Sequence, residues 1–143
     1  MSSKVLVMFY SMYGHNMAMA KAAVEGAKAG GAAVDLRRIA ETLPVEVLEK
    51  MHAVDAQKAF ADVPLATAAD LVNYDAVIVA SPTRFGSVPA QVQTFFDTTG
   101  QLWFGGKLVG KIGSAMVSSG SQHGGQETTF GGIHNFFMHQ GMV

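Results

Sequence analysis

The chain contains no cysteine, which excludes disulfides, thiolate metal ligands and a cysteine nucleophile together. Charge is sparse and balanced: 15% of residues are charged, with 10 Lys and Arg against 11 acids and a net charge of -1. No basic run exceeds Arg37-Arg38, so the electrostatic footprint of a nucleic-acid binder is missing. No apolar run approaches the roughly 20 residues of a membrane span. The N-terminus passes from Met-Ser-Ser-Lys straight into a strand-like run, without the charged and long apolar segments of a leader. These absences set the expectation of a cytoplasmic protein with neither a nucleic-acid partner nor a membrane span.

Several catalytic signatures are also missing. The five histidines (His15, His52, His123, His134 and His139) show no H-x-x-x-H or H-E-x-x-H spacing, so no metal site is expected. There is no Walker loop, no G-x-G-x-x-G and no G-x-S-x-G elbow. The acidic residues that a receiver domain needs after its first strand are replaced by Phe9-Tyr10-Ser11.

What is present is an apolar chain of 143 residues, 49% hydrophobic, long enough for one domain with a sizeable core. Val5 to Phe9 is continuously apolar, as in a strand buried on both faces. Met17, Ala20, Val24 and Ala27 then form a helical stripe that Gly30-Gly31 ends. Ala33–Arg37 reads as a second strand whose more polar pattern suits an edge. Pro44 opens a short helix to Met51, and 52–65 is expected to be an irregular surface excursion. Thr67 and Asp70 have the capping-box spacing of a further helix to Asn73. A third strand, Ala76–Ala80, runs into Ser-Pro; Val88, Val92, Phe95 and Phe96 share one face of the next helix. A fourth strand covers Ile112–Val117 and a last helix Glu127–Met138. Strands alternating with helices predict a parallel sheet covered on both sides.

Three polar loops, Ser11–Asn16, Ser81–Ser87 and Ser118–Gln126, follow the carboxyl ends of strands, the edge where open α/β sheets bind ligands. In the first, Ser11, Gly14 and Asn16 surround a helix start whose free N–H groups can hold a phosphate without a cation. A plain N-cap by Ser11 or Asn16 is the other reading. In "SPTRFG", backbone amides can bond the edge of a flat heteroaromatic ring and Arg84 can balance negative charge on it. An ordinary loop capped by Ser87 or Thr83 explains the same residues. "SSGSQHGGQ" is too rich in hydroxyls, amides and glycine for packing alone, although such loops are also often simply mobile. Trp103, between glycines in "GQLWFGGK", reads as a loop residue at a stacking surface or interface, or as loop packing.

Together "KVLVMFYSMYGH", "SPTRFG", "TFFDTTGQLW", "GK" before the fourth strand and "GGQET" resemble the flavodoxin-like NAD(P)H:quinone oxidoreductases of the WrbA type, in order and over the whole chain. The resemblance implies a doubly wound α/β sheet of order 2-1-3-4-5, FMN as cofactor, and two-electron reduction of a quinone by NADH or NADPH. It also implies a homo-oligomer, a tetramer or a dimer. Carried over, Ser11, Met12, Tyr13, Gly14, His15 and Asn16 would hold the FMN phosphate. Pro82, Thr83, Arg84, Phe85 and Gly86 would line the isoalloxazine. Ser118, Ser119, Gly120, Ser121, Gly124 and Gly125 would close over its other edge. Tyr13 and Trp103 would form the nicotinamide or quinone pocket, and Arg84 would stabilise the reduced ring.

Two departures qualify this. The family's "HHGM" is here His139-Gln140, so either His139 or an amide would approach the flavin of a neighbouring subunit. The third loop is one residue longer around Gln122-His123. Residues 1–143 are expected to form a single FMN-binding domain in which the fifth strand and last helix are missing. The alternatives are a one-electron carrier of the flavodoxin type, which the weak net charge disfavours, and a flavin-free interaction module.

Overall fold

A computed structural model describes residues 2–143. Four parallel strands, β1 (Lys4–Phe9), β2 (Ala33–Arg38), β3 (Ala76–Pro82) and β4 (Ile112–Ser118), form one sheet in the order β2-β1-β3-β4. The expected order is thus reproduced over its first four strands. Around the sheet lie α1 (His15–Ala29), α2 (Val45–Lys50), α3 (Val54–Lys58), α4 (Ala90–Asp97), α5 (Gly100–Phe104) and α6 (Gln126–His139), with a 3₁₀ turn at Ala68–Asn73.

The pleat of β1 sorts its side chains between two cores, because successive residues point to opposite faces. Leu6, Met8 and Tyr10 join Val77, Val79, Val92, Phe95 and Phe137 on one face. Val5, Val7 and Phe9 meet Ala20 and Val24 of α1 and Phe60 on the other. Each such aliphatic or aromatic side chain contributes about 1.5–3 kcal/mol of burial, which explains the unbroken apolar run. α1 buries Asn16, Ala20 and Val24 at four-residue intervals, and α6 does the same with Thr129, Ile133 and Phe137.

The expected 52–65 excursion is more ordered than its composition implies. It contains α3, buries Ala53 and Phe60, and sets the Phe60 ring edge-on to Phe9 at 5.6 Å. Residues 64–66 cover the β2 edge: Arg38 N–H donates to Pro64 O at 2.9 Å, and Ala66 N–H to Arg38 O at 2.8 Å. Asp70 accepts the Thr67 N–H at 2.7 Å, as the capping-box spacing predicts, but the turn it caps is 3₁₀. Trp103 lies on the short helix α5, not in a loop. At the far edge, Val143 N–H donates to Lys111 O (2.9 Å) and Gly113 N–H to Val143 O (2.7 Å). That bond pair sets Val143 parallel to β4 opposite Ile112, where the 2-1-3-4-5 order places a fifth strand.

Candidate functional site

All three polar loops leave the carboxyl edge of the sheet, and they are fastened to one another. Ser11 Oγ accepts the Gly14 N–H at 2.9 Å, leaving its own hydrogen free to donate. Gly14 is the N-cap of α1 with φ +92°, and no side chain bonds the first turn. The capping expected of Ser11 therefore closes the loop on itself instead. Asn16 does not cap either: buried, it donates from its amide to Ser118 Oγ at 3.0 Å and ties the first loop to the third. The backbone N–H groups of Met12, Tyr13, His15 and Asn16 meet no acceptor among the described residues. They face a ligand or solvent under the positive end of a 15-residue helix dipole.

In the second loop Arg84 and Ser87 exchange both backbone hydrogen bonds, at 2.7 and 3.0 Å. Phe85 (φ +52°) and Gly86 (φ +79°) between them form a type I′ turn. Positive φ is unusual for an aromatic residue, and the Phe85 ring stands fully exposed. The third loop docks on this turn. Gly125, the N-cap of α6 at φ +96°, lies so close that a Cβ there would sit 2.9 Å from Gly86 Cα. Thr83 Oγ1 completes the contact 2.8 Å from Thr129 Oγ1.

The cleft enclosed in this way has a volume of about 310 Å³ and is lined by Ser11, Met12, Tyr13, His15, Asn16, Pro82, Thr83, Arg84, Ser118, Ser119 and Gly120. Arg84, half-buried, donates from Nη1 to Thr83 O at 3.0 Å and pairs with no carboxylate among the described residues. Tyr13 stands half-exposed at the cleft, its hydroxyl donating to Met51 O at 3.1 Å. Phe85 and Gly86 form the turn beside it, and Ser121, Gly124 and Gly125 pack behind Ser119 and Gly86. Trp103, His139 and Gln140 are not brought to this cleft. They line a separate groove of about 410 Å³ with Phe96 and Phe136. There Gln140 donates to Thr99 Oγ1 at 2.8 Å, while its buried Oε1 has no partner. No group of residues that could hold a metal occurs among the described residues.

Behind the first loop lies a polar cluster that sequence reasoning missed. The Glu41 carboxylate accepts from the Tyr10 hydroxyl (2.8 Å), the Gln91 amide (2.6 Å) and the backbone N–H groups of Thr42 and Leu43 (2.9 and 3.0 Å). Gln57 Nε2 reaches Ser11 O (3.0 Å), Met12 O (3.4 Å) and Glu41 Oε2 (3.4 Å). Burial, then the bond to Glu41, pushes the Tyr10 phenol well above the usual tyrosine range. Four separate stretches of the chain supply these residues, so no local motif could have revealed them.

A parallel sheet of order 2-1-3-4, with an anion-type loop at the β1/β3 switch point, defines a mononucleotide-binding protein of the flavodoxin-like class. Comparison with known proteins narrows that class. The family described as NADPH-dependent FMN reductase matches residues 4–143. A protein named NAD(P)H dehydrogenase (quinone) from Geotalea uraniireducens is 52% identical over 98% of this chain and 70% of its own length. One of the same name from Geotalea daltonii is 54% identical over 98% of this chain and 69% of its own. Among solved structures, a WrbA-like flavodoxin from Agrobacterium tumefaciens superposes with a TM-score of 0.73 at 25% identity, covering 99% of this chain and 76% of that one. The chain belongs to the NADPH-dependent FMN reductase family.

The cleft fits the mononucleotide that this family name implies. The donors available to an anion there are a free serine hydroxyl and unpaired helix-start amides. Such a set suits a terminal phosphate at a helix N-terminus. The end of β3 and the Arg84 loop beyond it lie beside the Ser118–Gly120 segment, Thr83 N–H donating to Ser118 O at 2.9 Å, and both line the cleft.

Proposed function

We infer that this chain is an FMN-dependent NAD(P)H:quinone oxidoreductase, catalysing the overall reaction NAD(P)H + H⁺ + quinone → NAD(P)⁺ + quinol. The observation that carries this reading is the convergence of three loops on one cleft whose anion end relies on neutral donors. Bound FMN supplies the hydride chemistry; the protein's part is binding, orientation and electrostatics. The Ser11–Asn16 loop holds the phosphate through the Ser11 hydroxyl and the free amides. Pro82–Gly86 and Ser118–Gly125 position the ring, with Arg84 placed to favour its negatively charged reduced form. Tyr13, at the cleft mouth, borders the place where nicotinamide and quinone bind in turn.

Trp103, His139 and Gln140 serve the reaction only if another copy brings their groove to this cleft. The exposed aromatics at that groove, Trp103 and Phe104, support a homo-oligomer, a tetramer or dimer. No helix among the described residues is long and apolar enough to cross a membrane, and the absence of cysteine accords with a cytoplasmic location.

The test is a visible spectrum with added FMN followed by a coupled assay. Yellow protein that oxidises NADH or NADPH only when benzoquinone is present supports the proposal. Protein that stays colourless and gains no quinone-dependent oxidation rejects it. Light scattering on the FMN-loaded protein tests assembly, and a monomer at working concentrations rejects the oligomer.

A further inference from the structure

We propose that Gln57 is a positioning residue for the anion-binding loop, an inference that rests on reading that loop as the FMN phosphate site. Its side-chain amide shares two hydrogens among Ser11 O, Met12 O and Glu41 Oε2, at 3.0, 3.4 and 3.4 Å. The peptide bonds here are trans, and a trans peptide points its C=O and N–H in opposite directions. Holding the Ser11 carbonyl on the Gln57 side therefore turns the Met12 N–H the other way. Holding the Met12 carbonyl does the same for the Tyr13 N–H.

Met12 and Tyr13 line the cleft, and neither N–H has an acceptor among the described residues. Gln57 thus aims two unpaired donors at the anion without touching it. Glu41, which can only accept, fixes the nitrogen end of the Gln57 amide toward the loop. Gln57 sits on α3, a five-residue helix with no buried residue of its own, so its side chain has little packing role to lose.

The test is Gln57→Leu, which keeps the side chain's size and removes its donors, with dissociation constants for FMN and riboflavin measured by quenching of flavin fluorescence. FMN should bind about tenfold more weakly, as for the loss of hydrogen bonds to a charged group. Riboflavin, which lacks the phosphate, should change by less than about twofold. Equal weakening of both flavins, or no change in FMN, overturns the proposal. Gln57→Glu, of the same shape, should weaken FMN further by setting a carboxylate against two carbonyls and Glu41. If the unmodified protein binds no FMN, the reading of the site fails. Exchange of the Gly14 N–H in the apoprotein then decides the positioning role: about tenfold faster in Gln57→Leu supports it, and an unchanged rate overturns it.

Discussion

Ser11 has one hydroxyl that can serve two partners in the proposed site. It accepts from Gly14 N–H and so closes the turn, while its hydrogen stays available to an anion. Ser11→Ala removes both contributions. FMN affinity should fall about tenfold, as for a hydrogen bond to a charged group, measured by flavin fluorescence quenching. Unchanged affinity would place the phosphate elsewhere. Tyr74 carries a different single-residue prediction. Burial and its 2.6 Å hydrogen bond to Asp35 push this phenol up to about 12. An unfolded tyrosine titrates at about 10, so with rising pH the unfolded chain loses the proton first. The stabilisation is complete below about pH 10 and is lost as pH climbs through 12. Tyr74→Phe should cost roughly 1–2 kcal/mol at pH 8 and flatten the alkaline loss, read from urea midpoints between pH 8 and 11.5. An equally steep loss in the variant would refute the assignment.

At the scale of elements, the site depends on how the β3–α4 loop meets the start of α6. A Cβ on Gly125 would sit 2.9 Å from Gly86 Cα and 3.0 Å from Gly86 N, at φ +96°. Gly125→Ala should therefore push the two loops apart and destabilise by about 1–3 kcal/mol, with weaker FMN binding. Gly131→Ala, on the same helix with open space around it, should instead stabilise by about 0.5–1 kcal/mol, because alanine is the better helix former. A pair of thermal melts decides both; equal shifts in the two variants would remove the close-approach argument. The individual loops were legible in the sequence, since each follows an apolar run and is rich in turn and hydroxyl residues. Their mutual attachment through Asn16–Ser118 and Gly86–Gly125 was not, because those partners are about 100 and 40 positions apart.

For the molecule as a whole, the sequence determined what local chemistry can determine. An unbroken apolar run demands a strand buried on both faces, four-residue spacing demands an amphipathic helix, and their alternation demands parallel pairing. The strand sites, the parallel pairing and the three polar loops followed, and so did the missing cation in the first loop; the sheet order came from the family resemblance. Tertiary structure decided the rest. It gave 52–65 a core residue in Phe60 and a covering role at the β2 edge. It moved Trp103 onto a helix and, with His139 and Gln140, into a groove apart from the cleft. It also assembled Tyr10, Glu41, Gln57 and Gln91 behind the first loop. The physical reason is the same throughout: periodicity reports which face a residue buries, whereas a hydrogen-bond network depends on which distant faces meet. A sequence carries no local signal for that meeting until the sheet is built.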